Sequence, residues 1–304
     1  MILRQQGLVA SGTCHTVLIA DYHARMSHGL CGLEAGRRSA YYAKYLHQCC
    51  RLPATYVLGS SYQIQPAYVE ALYLSSRALL LSKVKDALPQ AARRGRDDPL
   101  TLSACLYGLM QCLDCCYLEA DIVLAEQGQK KIYDLLGWLV PPEKEAGALS
   151  KPNSELARSP SQFIYVPGSH DILGHPIAQS SAVTRISIHE SKESLRWKVR
   201  KMYAPPGSQC ADDGRPNALL EFFRHSVFPW SPGEVVITDQ NHRDRTYGNY
   251  DTFERDYCQG LLHPAACKPV LEHQLWRRLE AIQATMTSDS CAWVDLDRAR
   301  GTGA

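Results

Sequence analysis

Nowhere in the 304 residues does an apolar run approach the roughly 18 needed to cross a bilayer, which excludes a helical membrane anchor from the reading. A dominant charge is missing too: 33 Lys and Arg stand against 31 Asp and Glu, for a formal net charge of +2. That balance does not announce a nucleic-acid partner, and it leaves a local patch open. The basic run Arg196, Lys198, Arg200 and Lys201 reads first as a solvated helix face. No internal repeat is visible, and no secretory segment precedes the 12 cysteines, which are scattered, with neighbours at Cys49/Cys50 and Cys115/Cys116. Free thiols in a reducing, cytoplasmic setting fit this usage better than a disulfide framework. Cys112-x-x-Cys115 has zinc-ligand spacing but no second pair nearby, so no bound metal is expected. The opening residues, with Arg4 and a broken apolar stretch, make a poor targeting peptide.

What the sequence does contain is alternation. Short apolar runs at 17–20, 55–58, 121–125 and 163–166 read as strands. Between them lie helical segments at about 37–50, 66–84, 100–118 and from 128 onward. Pro66 suits a first helical turn, where its missing N–H costs nothing. Strands alternating with helices argue an α/β fold with a parallel, doubly wound sheet. Residues 139–161, rich in Pro, Ser, Glu and Lys, read as a loop. Beyond about 190 the strand signal fades: Ser191 opens a helix, 218–228 and 264–286 are helical, and Val235–Ile237 is a short strand. The expected organisation is one domain over 1–188, a mostly helical one over 189–288 and a polar tail over 289–304.

Tyr107, Gln111 and Asp114 stand at i, i+4 and i+7, one face of a helix. In a parallel sheet, ligands bind beyond the carboxyl ends of the strands. Asp21 and His23 follow the first strand, Tyr62 and Gln63 the second, and Gln129 the third. Hydroxyls, amides and a carboxylate converging there suit a polar amino acid. The same spacing also describes a half-buried helix with a solvated edge, and the residues alone leave both open.

Six segments in order, LIADYHA at 18–24, GSSYQ at 59–63, YGLMQCLDCCYLEAD at 107–121, QGQKK at 127–131, FFRHSVFP at 222–229 and LLHP at 261–264, resemble the archaeal and eukaryotic tyrosyl-tRNA synthetases, a class I family. The resemblance implies a Rossmann-like catalytic domain followed by an anticodon-binding-type domain. It implies ATP with magnesium as its counter-ion, L-tyrosine and tRNA-Tyr as ligands, and a two-subunit assembly. By similarity, Tyr107, Gln111 and Gln129 hold the substrate ammonium and Asp114 takes its phenol, with Ala20, His23, Tyr62, Gln63 and Leu118 lining the pocket. A buried carboxylate waiting for a hydroxyl rejects phenylalanine, by about 10⁵ in tyrosyl enzymes as a class. The neighbouring tryptophan-specific family shares the fold and is a further alternative; Asp114 beside Tyr107 and Gln111 favours tyrosine, and competition between the two amino acids decides.

The pattern also departs from the family. The family's opening strand and His-x-Gly-His motif have no counterpart, since residues 1–7 line up with the helix that follows them. His170 and His175 fall after the fourth strand and do not replace that motif. Pro176, Ile177, Ala178, Gln179 and Ser180 stand where the Lys-Met-Ser-Lys-Ser loop belongs, without its lysine. Ala148–Lys151 resembles that loop in letters but precedes the fourth strand. Ala125-Glu126 replaces a glycine pair, and Gly128 replaces a side chain near the ATP ribose. On the anticodon side, His242 stands at an aromatic stacking position, and His263-Pro264 is followed by Ala266 where an acid is expected. The expectation is a synthetase impaired on its own. The alternative is a non-catalytic half, as in trypanosomatid enzymes built of two fused halves, or a scaffold paralogue.

Overall fold

A computed structural model describes residues 12–88, 101–139, 160–177, 180–210, 213–231 and 233–287. The chain divides into two compact units, Met1–Gly168 and Ser169–Ala304. Residues 169–188 side with the second unit because Ile172 is buried in its core and Ile186 and Ile188 pack against it. The sequence reading places them in the first domain.

In the first unit, β1 (Thr16–Ile19) pairs in parallel with β2 (Thr55–Leu58), Thr16 opposite Thr55 and Ile19 opposite Leu58. A parallel pair needs a long crossover. It is made here by α1 (Asp21–His28), α2 (Gly32–Lys44) and a π-helical turn at Tyr45–Cys49. A turn at Gly59–Ser61 leads to α3 (Pro66–Ser76) and α4 (Leu81–Ala87). The expected single helix over 66–84 breaks there because Leu80 turns extended, at φ −73° and ψ 134°. Next comes α5 (Leu102–Tyr117), capped by the Thr101 hydroxyl, which accepts from Ala104 N at 3.2 Å. Then β3 (Ile122–Glu126), α6 (Lys130–Tyr133), α7 (Leu136–Leu139) and β4 (Gln162–Val166) follow, with β3 and β4 again parallel.

Among the described residues the parallel strands form two separate pairs. A single core serves both: Leu109, Met110, Cys112, Leu113 and Cys116 of α5 gather Leu18 of β1, Val57 of β2 and Phe163 of β4. Helix α5 also packs on α1, α3, α4 and α6, so it is the axle of this unit. The expected loop at 139–161 lies largely outside the described residues, as does the polar tail.

The second unit holds α8 (Lys192–Lys201), α9 (Ala218–Phe222), an antiparallel hairpin of β5 (Val235–Thr238) and β6 (Asp244–Tyr247), then α10 (Tyr250–Cys258) and α11 (Pro264–Thr287). Ser191 caps α8, Asn217 caps α9 and Asn249 caps α10 through their side chains. Leu195, Phe223, Ile237, Phe253, Tyr257 and Leu271 form the centre of its core. Among the described residues no helix is long and apolar enough to cross a membrane.

Among the described residues no disulfide links the cysteines. Burial pushes the thiols of Cys115 and Cys267 from an ordinary 9.0 up to about 12. The unfolded thiols ionise from about 9 upward while the folded ones stay protonated, so rising pH draws the balance toward the unfolded chain. Stability from these two groups is therefore intact below about 9 and is lost as pH climbs toward 12. At pH 8 a thiol reagent is expected to label exposed Cys14, Cys31 and Cys210 and to spare Cys115 and Cys267 until the chain unfolds. Peptide mapping of the labelled native protein checks this, and early labelling of the buried pair would contradict it.

Candidate functional site

The polar stripe of α5 turns inward. Asp114, only 3 % exposed, is the acceptor around which the site is built. Its Oδ1 accepts from the Tyr62 hydroxyl at 2.8 Å, the Tyr68 hydroxyl at 2.8 Å and Gln63 Nε2 at 2.9 Å. Its Oδ2 accepts from His23 Nε2 at 2.8 Å and from Gln63 Nε2 at 3.0 Å. The donors come from three separate stretches of chain. His23 lies in the first turn of α1 just past β1, Tyr62 and Gln63 follow the turn that closes β2, and Tyr68 is on α3. That turn requires glycine: a Cβ on Gly59 would sit 2.5 Å from Gln63 Oε1 and 3.2 Å from Asp21 Oδ1. Asp21 in turn accepts from Ser60 N at 2.8 Å, fixing the turn to the head of α1.

Burial, and then the charge of Asp114, hold the Tyr62 and Tyr68 phenols well above the usual range, so both remain protonated donors. Burial, seconded by the same carboxylate, raises Tyr107. The Tyr107 ring meets His23 edge-on with centroids 4.7 Å apart. Gln111 is buried, and its Oε1 has no hydrogen-bond partner among the described residues.

The remaining pocket candidates lie at element ends. Gln129 closes a capping box with Glu126, its Oε1 accepting from Glu126 N at 3.4 Å. Leu118 ends α5 and packs on the core, and Ala20 is exposed, its carbonyl accepting from Ala24 N. None of Gln111, Gln129, Leu118 and Ala20 donates to the Asp114 carboxylate among the described residues. Two residues that do shape it were not singled out from sequence. Tyr68 sits in the apolar run PAYVEALYL and reads as plain core, and Tyr117 stacks on Tyr62 at 4.8 Å and 10°.

The segment at the signature-loop position lies in the second unit. Ile177 N donates to Ser169 O at 2.8 Å, Pro176 bridges to His170, and both the amide and hydroxyl of Ser180 donate to Ile177 O. Ala178 and Gln179 lie outside the described residues, as do Ala148–Lys151. The chain that follows is fastened from within. The Lys198 ammonium, with its side chain 6 % exposed, donates to Ala182 O at 2.8 Å, to Arg185 O at 2.6 Å and to the Glu190 carboxylate. Lys198 is therefore not part of a solvated face, because those three acceptors use all three of its N–H bonds. Gln283 Nε2 adds bonds to Ile188 O and Glu190 O. His242, at φ +59° in the hairpin loop, and His263, just before α11, are both exposed. Among the described residues no group of three or more His, Cys, Asp or Glu is placed to hold a metal.

Two comparisons settle the family. The family of tRNA synthetases class I (W and Y) matches residues 4–280. The tyrosine–tRNA ligase of Methanoculleus marisnigri is 30 % identical over 256 residues, covering 83 % of this chain and 74 % of its own. The chain belongs to the tyrosine–tRNA ligase family. The fold agrees. The tyrosyl-tRNA synthetase of Archaeoglobus fulgidus, solved with L-tyrosine, superimposes with a TM-score of 0.76 at 23 % identity, over 94 % of this chain and 83 % of that one. The Leishmania major tyrosyl-tRNA synthetase, solved with tyrosinol, gives 0.77 at 19 % identity over 98 % of this chain. This chain spans 51 % of that protein. In tyrosine–tRNA ligase terms, the first unit is the Rossmann-like α/β part and the second the mostly helical part, and ATP is the co-substrate that class membership implies.

Proposed function

We propose that this chain is a tyrosine–tRNA ligase that keeps a tyrosine-recognition pocket but is impaired in ATP-dependent activation when it acts alone. The buried Asp114 cluster carries this reading. A carboxylate held among His23, Tyr62, Gln63 and Tyr68 is a receptor for a phenol hydroxyl. Gln111 Oε1 is a free acceptor one turn away, suited with Tyr107 and Gln129 to the substrate ammonium. Ala20 and Leu118 complete the lining.

In the reaction, a carboxylate oxygen of tyrosine attacks the α-phosphorus of ATP, the bond to the β-phosphate breaks, and pyrophosphate leaves. The aminoacyl group then passes to the terminal ribose of tRNA-Tyr. Charge on the phosphates calls for preorganised donors and cations, magnesium accompanying ATP among them. Pro176, Ile177 and Ser180 supply no side-chain cation, and the Ser180 hydroxyl is spent on Ile177 O. Glu126 adds a carboxylate at the end of β3, so close to Gly168 that a Cβ there would sit 2.7 Å from its Oε1. In this reading the helical unit handles the anticodon side, with His242 and His263 exposed for it, and the working assembly is a cytoplasmic homodimer or pseudo-dimer with a second synthetase half.

The lysine-free sequence of residues 176–180 favours a second reading, in which the chain is a non-catalytic half or scaffold paralogue that pairs with an active copy and carries tRNA. Tyrosine-dependent exchange of pyrophosphate into ATP by the purified chain separates the two. Exchange close to background is expected for the chain alone, and brisk exchange would sink the impaired-alone reading. Recovery on adding a complementary synthetase half identifies a divided enzyme. Silence with tyrosine binding intact identifies the scaffold.

A further inference from the structure

Strands β3 and β4 end side by side. In their parallel register Glu126, the last residue of β3, stands opposite Val166, and Gly168 follows two positions later. Ligands of parallel sheets arrive at this carboxyl edge, and a glycine there lets a ligand press against bare backbone. Gly168 offers such a surface, but it is already covered. Its chain neighbours apart, the three heavy atoms nearest to a Cβ built on Gly168 all belong to Glu126: Oε1 at 2.7 Å, Cδ at 3.6 Å and Cγ at 3.9 Å. The same Oε1 would stand 4.0 Å from a Cβ on Gly128. One side chain therefore roofs both glycines.

That roof is held in place. The Glu126 carboxylate accepts from the Gln129 backbone N–H, and the Glu126 N–H donates back to Gln129 Oε1, so the two residues fix each other. Lys130, four residues on, spends its charge elsewhere: its ammonium lies 3.0 Å from Asp134 Oδ1 and over the Tyr165 ring. Asp114 gathers its donors from α1, α3 and the segment after β2, which leaves the ends of β3 and β4 to a second ligand. There a half-buried carboxylate excludes a sugar by its bulk and opposes a triphosphate by its charge.

We infer that Glu126 is a specificity-determining residue: its side chain plugs the notch over Gly128 and Gly168 in which the nucleoside part of ATP packs against the strand ends. This inference rests on the reading of the chain as a ligase that keeps its tyrosine pocket. It places part of the nucleotide defect in one side chain of the first unit, apart from the lysine-free segment 176–180. The apparent affinity of a site scales with the fraction of molecules in which it is open. A plug seated in about 90–99 % of molecules weakens nucleotide binding about tenfold to a hundredfold and leaves the bonds of Asp114 untouched.

Isothermal titration of the full chain with adenosine, ATP with magnesium, and L-tyrosine, before and after Glu126→Gly and Glu126→Gln, tests this. Glycine removes the plug, whereas glutamine keeps its bulk and a capping oxygen and removes only the charge. Adenosine carries no phosphate, so it reports on the plug alone. Its affinity is expected to rise about tenfold to a hundredfold in Glu126→Gly and to stay within about threefold in Glu126→Gln. ATP affinity rises with it in Glu126→Gly, and retained tyrosine binding shows that each variant is folded. The unaltered chain supplies a measurement that does not depend on how the variants fold. It is expected to bind adenosine and ATP only in the millimolar range, and micromolar binding of either overturns the plug. Unchanged adenosine affinity in a Glu126→Gly chain that still binds tyrosine, or an equal gain in Glu126→Gln, also overturns it and leaves the tyrosine pocket standing. Absence of tyrosine binding in the unaltered chain overturns the ligase reading and this inference with it.

Discussion

Replacing Asp114 with alanine is expected to lower the stability of the first unit by about 3–5 kcal/mol and to weaken tyrosine binding. The size follows from what is left behind. Two phenols, an amide and an imidazole lose a common acceptor, and the residues that carry them, His23, Tyr62, Gln63 and Tyr68, are all at most 4 % exposed, so water reaches them poorly. The four donors sit on α1, α3 and the segment after β2, so the loss is shared by these three stretches. Urea unfolding followed by tyrosine fluorescence measures the change. A loss below about 1 kcal/mol, the scale of an ordinary surface change, would mean that these bonds are not made in solution.

The second large effect belongs to the other unit. Lys198→Met leaves the Glu190 carboxylate, with its side chain 7 % exposed, without its cation, and strands the carbonyls of Ala182 and Arg185. Breaking a buried pair from one side costs about 3–5 kcal/mol, because the remaining charge stays desolvated. Adding Glu190→Gln to Lys198→Met is expected to restore more than half of that loss, since the pair costs more to break than to replace. Hydrogen exchange should localise the damage to residues 180–190, the stretch that Lys198 and Gln283 hold. Equal losses in the single and double variants would show that the ammonium serves its carbonyls alone and that its charge is irrelevant.

The inward face of α5 was readable because a helix imposes its period on the sequence: Tyr107, Gln111 and Asp114 had to share a side. The strands after which His23, Tyr62 and Gln63 appear were equally plain, being short apolar runs that end at Asp21 and Gly59. Tyr68 was not readable. Its ring belongs to an apolar helix face, and nothing local reveals that its hydroxyl meets a carboxylate 46 positions away. Helices α1 and α10 escaped for another reason: DYHARMSH and YDTFERDYC are short and carry few apolar residues, although those few share one face. Strand β6, written DRTY, is defined by its pairing with β5 rather than by composition. Lys198 shows the limit of charge patterning, since a basic run looks solvated until the carbonyls that one of its members reaches are seen.

The position of Asp114 on the axle of the first unit bears on how this sequence drifts over generations. A lysine on an exposed segment supplies chemistry at little cost to folding, so nothing but selection for activity retains it. A change at Asp114, in contrast, is penalised in every chain that must fold, whether or not the chain handles ATP. The buried carboxylate therefore outlasts groups that serve chemistry alone in any lineage kept only for its shape, and its presence in a relative is a record of architecture before it is a record of activity.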